Sequence, residues 1–121
     1  MAITQALCTS FKTEILGGTH DLDTDVLKIA LYTSSATLDA TTTAYSSTNE
    51  VSGTGYTAGG ETVSGATITS SGTTAFVDFS DVTWSSSTIT ARGALIYNSS
   101  KSNKAVAVLN FGSDKSSSNG N

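Results

Sequence analysis

The acidic run Asp21-Leu22-Asp23-Thr24-Asp25 is the segment whose residue types could bind a metal ion. Alternating aspartates open the calcium loop of helix–loop–helix proteins, where Gly holds the sixth position and a bidentate Glu the twelfth. Here those positions hold Val26 and Tyr32. The pattern therefore predicts a solvated acidic loop and no metal site of this type; a weak cation site of another geometry is the alternative.

Nucleophilic catalysis of the Ser-His-Asp type would need His20 as its base, because it is the one histidine of the chain. A serine hydrolase places its nucleophile in a Gly-x-Ser-x-Gly elbow, which this sequence lacks. The one cysteine, Cys8, cannot form a disulfide within the chain, and we expect it to be a small buried apolar residue. The glycines of residues 53–60 are not followed by the Gly-Lys-Ser/Thr ending of a phosphate loop. The sequence thus predicts no catalytic, cofactor-binding or metal-binding residues, and no enzyme.

Composition excludes further classes of function. The chain has 121 residues, enough for a single domain over residues 1–121, and its net charge is −4 with only six basic residues. A nucleic-acid groove needs clustered Lys and Arg, so nucleic acid is not an expected partner. No apolar run approaches the roughly 18 residues of a membrane span, and the start shows no signal peptide, so a membrane is not expected either.

A single amphipathic helix is predicted over residues 3–17, with Thr4 as its N-cap. Its apolar residues recur every four positions, and Gly17-Gly18 ends it. The stripe is more apolar than that of a free surface helix. We therefore expect it to lie against a sheet or a neighbouring subunit and to form an assembly interface. The interface residues are Ile3, Leu7, Phe11 and Ile15.

After Gly18 the apolar period changes from about four to two, which is typical of half-buried strands. Strand-like composition occurs at residues 27–32, 62–69, 74–79, 82–84, 88–91, 93–97 and 104–111. One helix followed by strands without βαβ alternation predicts a mainly β fold, an antiparallel β-sandwich of the jelly-roll or Ig-like type. The sandwich spans residues 25–112, and the polar tail 113–121 is expected to fray.

A long polar segment, residues 33–60, separates the first strand from the others. A loop of this length in a small domain is functional or poorly ordered when alone. Its aromatic residues are Tyr45 and Tyr56, and Trp84 lies further along, before a Ser-rich turn. These three residues form a possible surface contact, because exposed aromatics stack on sugars. As the sole tryptophan, Trp84 is instead expected to anchor the core.

Several strings of the sequence are specific enough to compare with known families. They are Ile3–Ala6, Phe11-Lys12, Lys28–Thr33, Asn49–Gly60, Asp81–Trp84, Ala91–Asn98 and Ala105–Leu109. Together they resemble small virion structural proteins of tailed phages and prophages, over nearly the whole chain. The resemblance implies a phage particle as the location, with synthesis in the host cytoplasm, and it brings no catalytic residues. Family members usually continue past Asn119-Gly120 with another apolar, strand-like segment. Either that strand is lost here or the sequence is incomplete, and a lost strand would leave an open sheet edge.

The resemblance and the missing catalytic residues together predict a non-enzymatic structural protein of a tailed-phage virion. A capsid decoration or cement protein is the first reading. The alternatives are a tail-associated fibre, adaptor or receptor-binding module, and a filament-forming surface subunit that assembles by strand exchange. The predicted partners are further copies of this chain and other virion proteins such as the major capsid protein.

Overall fold

The computed structural model describes residues 2–120 and is mainly β with one short helix, as the sequence predicts. Every pair of named strands is antiparallel. Strands β1-β7-β6-β2-β3 form one sheet, and β4–β5 form a separate hairpin. The elements are β1 (Ala6–Leu7), α1 (Thr9–Leu16), β2 (Leu27–Tyr32), β3 (Glu61–Val63), β4 (Thr67–Ser71), β5 (Thr74–Asp78), β6 (Thr90–Asn98), a 3-10 turn (Ser99–Lys101) and β7 (Lys104–Ser116).

The five-stranded sheet has an apolar core on each face. Successive side chains of a strand point to opposite faces, so neighbouring residues divide between the two cores. Leu95 of β6 pairs with Ala30 of β2 and belongs to the first core, whereas Ala94 pairs with Leu31 and belongs to the second. The first core is covered by residues of the N-terminal segment and α1, and the second by residues of segments 51–56 and 84–91. Helix and loop segments therefore cover both faces of this sheet.

The helix is shorter than the predicted span of residues 3–17. It runs over Thr9–Leu16 with Cys8 as its N-cap. Ile3 bridges Leu38, and Ala6–Leu7 pair with β7, so this backbone is extended. Thr4 is not the N-cap, since its amide donates to the Leu38 carbonyl at 2.8 Å. Pairing with the edge of β7 overrides the local helical preference of these residues.

The expectation that Cys8 is buried is confirmed. The residue is fully buried in the first core. Burial, and next the carboxylate of Asp39, raises the pKa of the Cys8 thiol. The thiol therefore stays protonated and unreactive near neutral pH.

The polar tail is paired, contrary to the expectation that residues 113–121 fray. Strand β7 continues to Ser116, which pairs with Thr90. Beyond it, the Ser117 amide donates to the Ile89 carbonyl at 2.9 Å, and Gly120 exchanges two backbone hydrogen bonds with Ser87. Backbone pairing needs no apolar side chain, which is why polar composition misled the prediction. Asn121 lies outside the described residues.

The polar segment of residues 33–60 is held by the chain itself. Its backbone bonds to three parts of the fold: the Val51 amide to the Leu31 carbonyl, the Thr54 carbonyl to the Thr88 amide, and the Thr43 carbonyl to the Ala105 amide, at 2.9–3.0 Å. The segment is therefore ordered within the single chain, which leaves a functional loop as the remaining interpretation of its length.

Phe11 is the buried residue of α1, with its ring centroid 4.9 Å from that of His20. We expect Phe11→Ala to lower the free energy of unfolding by about 3 kcal/mol, because truncation leaves a cavity in the first core. Urea denaturation followed by fluorescence of the single tryptophan measures it. Leu16→Ala is the matched control on the same helix, since Leu16 is 90% exposed. An equal loss in the two variants would show that Phe11 is not part of a packed core.

Candidate interaction surface

The hairpin β4–β5 is the most exposed regular element of the fold. Every residue of its two strands is exposed except Val77, which is half-buried. Ile68 and Phe76 keep 55% and 46% of their surface exposed. A lone two-stranded hairpin is marginally stable in water. This hairpin therefore has apolar surface available to a partner and a physical need for one.

An apolar groove separates the hairpin from α1 and the loop that follows the helix. Its volume is about 560 Å³. Ile68 and Val77 pair directly across the hairpin and so share the face that lines the groove. Phe11, Ile15 and Leu22 line the opposite wall. An exposed apolar groove of this kind is typical of interaction sites.

The four predicted interface residues do not share one helical face. Ile3 and Phe11 are buried in the first core. Leu7 lies in β1 and is 46% exposed, and Ile15 lies on α1 and is 37% exposed. Of the four, Phe11 and Ile15 line the groove. The structure thus links the predicted stripe to the groove only through these two residues.

The three aromatic residues proposed for surface contact are half-buried and take part in internal packing. Tyr45 stacks on Tyr97 with ring centroids 4.7 Å apart, beside the first core. Tyr56 stacks on Trp84 at 6.1 Å, and both pack against the second core. The arrangement offers no open aromatic platform at these positions, and Trp84 contributes to the core as the sequence indicates.

Glu50 connects the two aromatic pairs and was not singled out from the sequence. Its Oε1 accepts a hydrogen bond from the Tyr45 hydroxyl at 2.6 Å, and its Oε2 accepts from the Tyr56 hydroxyl and from the Gly59 amide. The Tyr97 hydroxyl donates to the Gly59 carbonyl at 2.7 Å. One carboxylate thus holds three points of the polar segment together, and Tyr97 of β6 bonds the same segment to the sheet.

Burial dominates the acid–base behaviour of this cluster. Burial first, and then the Glu50 carboxylate, raises the pKa of Tyr45 and of Tyr56 far above the usual value for tyrosine. Burial and Glu50 also raise the pKa of Tyr97. The hydroxyls of Tyr45 and Tyr56 therefore remain protonated and donate to the carboxylate at all physiological pH values. These hydrogen bonds have a structural role.

A second polar network lies beneath the groove, around His20. The His20 side chain is fully buried, and its Nε2 lies 2.9 Å from Glu14 Oε1. Its Nδ1 lies 2.9 Å from Asn98 Nδ2. Since Asn98 Oδ1 accepts from the Ser100 amide, Nδ2 is the donor, so Nδ1 accepts and Nε2 carries the proton. Both ring nitrogens are engaged in internal contacts, and His20 joins the helix to the end of β6.

Asp25 continues this network on the side of the acidic loop. Its carboxylate accepts from the Asp21 amide, from Asn98 Nδ2 and from Lys101 Nζ, at 2.8–3.0 Å. These hydrogen bonds, with that of Asp21 the largest cause, lower the pKa of Asp25 to about 2. A hydrogen bond from His20 is the main reason that the pKa of Glu14 is also lowered. The carboxylates of Asp21 and Asp25 thus accept backbone hydrogen bonds within the loop and fix its conformation.

A pH dependence of stability follows from the Asp25 contacts. The folded pKa of about 2 lies below the ordinary 3.8, so the stabilisation is complete above about pH 4 and is lost as the pH falls toward 2. We expect Asp25→Asn to reduce the slope of unfolding free energy between pH 4 and pH 2. The pKa of Glu14 is lowered as well, so part of the slope should remain in this variant. Asp23→Asn, in the same loop, is the control, because the Asp23 carboxylate accepts none of the three hydrogen bonds of Asp25. An equal reduction of the slope in both variants would contradict the assignment.

Among residues 2–120, no three His, Cys, Asp or Glu side chains come together to hold a metal ion. No helix of that range is long and apolar enough to cross a membrane. Comparison with family models, with curated proteins and with solved structures finds no match to this chain. The hairpin and its groove are therefore the candidate functional surface on geometric grounds alone.

Proposed function

We propose that this chain is a non-enzymatic structural protein of a tailed-phage virion, and most specifically a capsid decoration or cement protein. The sequence strings that resemble phage virion proteins support the origin. The exposed hairpin β4–β5 is the observation that carries the role, because Ile68 and Phe76 leave apolar surface on it that a partner can cover. Further copies of this chain and the major capsid protein are the proposed partners, and the phage particle is the proposed location.

The jelly-roll or Ig-like sandwich is part of the same proposal. The strands form a five-stranded sheet and a separate two-stranded hairpin. In the proposed sandwich the sheet would be one layer and the hairpin part of the second. The other strands of that layer would come from a partner. A many-copy shell provides such partners by symmetry.

The proposal is tested by binding the purified chain to phage heads that lack it, with cryo-electron microscopy of the product. We expect regular density on the head surface. Binding should fall in Ile68→Lys, which places a charge on the groove, and should be unchanged in Thr90→Lys, an exposed position of β6. Density on the tail alone, or no binding at all, would overturn the assignment to the head.

Salt provides a second readout of the same binding. The one charged side chain of the hairpin is Asp78 at the end of β5, so contacts through the hairpin depend mainly on apolar burial and backbone hydrogen bonds. Neither is screened as exposed ion pairs are. Head occupancy should therefore change little between about 0.1 and 0.5 M salt, where the Debye length is already about 10 Å or less. Release of the chain over that range would contradict docking through the hairpin.

A receptor-binding module of the tail is the second candidate, and one observation favours it. A pocket of about 240 Å³ lies on the polar segment next to Tyr32. Apolar atoms supply most of its surface, but six residues with hydroxyl or amide groups contribute to the lining, and such groups can hydrogen-bond to sugars. These residues are Ser35, Thr37, Thr42, Ser46, Thr48 and Asn49. Glycan-array binding that is lost in Thr48→Val would favour this candidate over a decoration protein.

A further inference from the structure

The outer edges of hairpin β4–β5 leave backbone groups without strand partners. Within the part of the chain that the structure describes, β4 and β5 pair only with each other. Their register runs without a bulge from Thr67↔Asp78 to Ser71↔Thr74. Backbone N–H and C=O groups on such an edge either bond to water or add another strand. The hairpin is therefore a regular template for strand addition.

The usual protections of an edge strand are missing from this hairpin. Proteins block exposed edges with Lys, Pro, bulges or very short strands. The chain has no proline, and no Lys or Arg occurs between Lys28 and Arg92. The edge strands of the main sheet, in contrast, are only two and three residues long in β1 and β3. Strand β7 extends beyond β1 over residues 109–116, but that stretch has a register shift opposite β6 and carries Asp114 and Lys115. Among the described strands, the hairpin therefore presents the edge that lacks these protections.

We infer that two copies of this chain pair antiparallel through the outer edges of their β5 strands, about a two-fold axis at Phe76. The inference rests on the proposal that the hairpin is an assembly surface and names its partner as a second copy. The product is a four-stranded antiparallel sheet with the order β4-β5-β5-β4. Three or more strands with an apolar face can be stable where two are marginal.

The charge pattern of β5 is compatible with pairing to itself. Asp78 is its one charged residue, at the C-terminal end. With Phe76 facing the Phe76 of the second copy, Asp78 faces Thr74 of that copy. The two Asp78 carboxylates then lie at opposite ends of the new ladder, so no like charges are opposed. An edge bearing a central charge would repel its own copy.

The apolar pattern of β5 is also self-complementary in this register. The two Phe76 rings lie on the same face and form a cross-strand aromatic pair, a favourable combination in antiparallel sheets. On the other face, Val77 of each copy meets Ala75 of its partner, which extends the apolar surface beside the groove. The corresponding pairing of two β4 strands is centred on Thr69. It would place Ile68 against Ser70 and give no apolar pair. This difference favours β5 over β4 as the pairing strand.

Sedimentation velocity over a concentration series tests the pairing. We expect a monomer–dimer equilibrium for the unsubstituted protein. Phe76→Lys places two like charges at the axis and should weaken the dimer by at least about tenfold. Thr69→Lys is the matched control, because Thr69 lies opposite Phe76 on the same face of the hairpin but on β4. Equal weakening by both substitutions, or a strict monomer before substitution, would overturn the inference.

Cross-linking keeps the test valid if Phe76→Lys disturbs the hairpin itself. Directly opposed Cβ atoms lie about 4.5–5.5 Å apart in a strand pair, close enough for a disulfide after a small adjustment. Oxidised Phe76→Cys should give a covalent dimer, and Thr69→Cys should not. Cys8 does not interfere, since it is fully buried. Covalent dimers of Thr69→Cys alone would instead assign the axis to β4 and overturn the choice of β5.

Failure of the inference and failure of the proposed function give different results. A protein that stays monomeric but decorates phage heads would overturn β5 pairing and leave the function in place. A protein whose Phe76→Cys variant cross-links but which never binds heads or tails would support the pairing and overturn the virion assignment. Head binding that requires the dimer would support both.

Discussion

Gly60→Ala is expected to destabilise the fold by about 4 kcal/mol or more, which is exceptional for the addition of a single methyl group. Gly60 has φ +80°, and a Cβ atom there would lie 1.8 Å from the carbonyl oxygen of Ile29 and 2.8 Å from Cα of Ala30. Both are backbone atoms of β2, so no rotamer change can relieve the clash. The polar segment would have to leave the sheet just where β3 begins at Glu61. Urea unfolding monitored by tryptophan fluorescence measures the loss.

The matched control for this prediction is Gly72→Ala in the turn of hairpin β4–β5. Gly72 also has a positive φ, of +61°, but a Cβ atom there meets nothing within 4 Å. Its cost should be limited to the backbone conformation, about 1 kcal/mol. The difference between the two variants isolates the close approach of the segment to β2. Equal costs would show that the segment does not lie against β2 in this way.

Glu50→Ala is expected to lower the free energy of unfolding by about 4 kcal/mol. The substitution removes the acceptor for the hydroxyls of Tyr45 and Tyr56 and for the amide of Gly59. A donor left without a partner inside a protein costs about 1–3 kcal/mol, and three donors are affected here. The stacking of Tyr45 on Tyr97 depends on the same anchor. Thermal unfolding and near-ultraviolet circular dichroism of the tyrosines would register both effects.

Two further variants define the role of the Glu50 carboxylate. Glu50→Gln keeps one acceptor oxygen but points an amide at one of the donors, so about half of the loss should return. Glu61→Ala removes an exposed carboxylate eleven positions further along the chain and should change stability by less than about 0.5 kcal/mol. If Glu61→Ala lowered the stability as much as Glu50→Ala, the effect would come from the change in net charge and not from the hydrogen bonds of Glu50.

Sequence periodicity predicts the elements that depend on local pattern. The alternation in residues 27–32 corresponds to β2, and the two apolar runs on either side of residues 98–103 correspond to β6 and β7. The helix boundary was wrong because residues 3–7 bond to Leu38 and to β7, which are distant in sequence. The prediction that the tail frays was wrong for the same reason, since the tail forms hydrogen bonds with residues 87–90. Long-range backbone pairing leaves little trace in composition.

The candidate surface was only partly accessible to sequence reasoning. Alternation in residues 74–79 predicts β5 with Phe76 on the face opposite to Val77, but no pattern indicates that the hairpin lies outside the main sheet. Glu50 did leave a signal, because it is the one charged residue between Asp39 and Glu61 and lies between two tyrosines. A lone carboxylate in a segment of hydroxyls and glycines is a candidate anchor for donors from several directions.

The absence of Lys and Arg between Lys28 and Arg92 also determines where proteases can cleave this protein. A protease that cleaves after basic residues finds no site from residue 29 to residue 91, so the exposed hairpin lies within one uninterrupted fragment. A protease that cleaves after aromatic residues meets the half-exposed Phe76 in the same hairpin. Resistance to the first kind of enzyme is therefore a property of composition, whereas resistance to the second depends on the hairpin being covered.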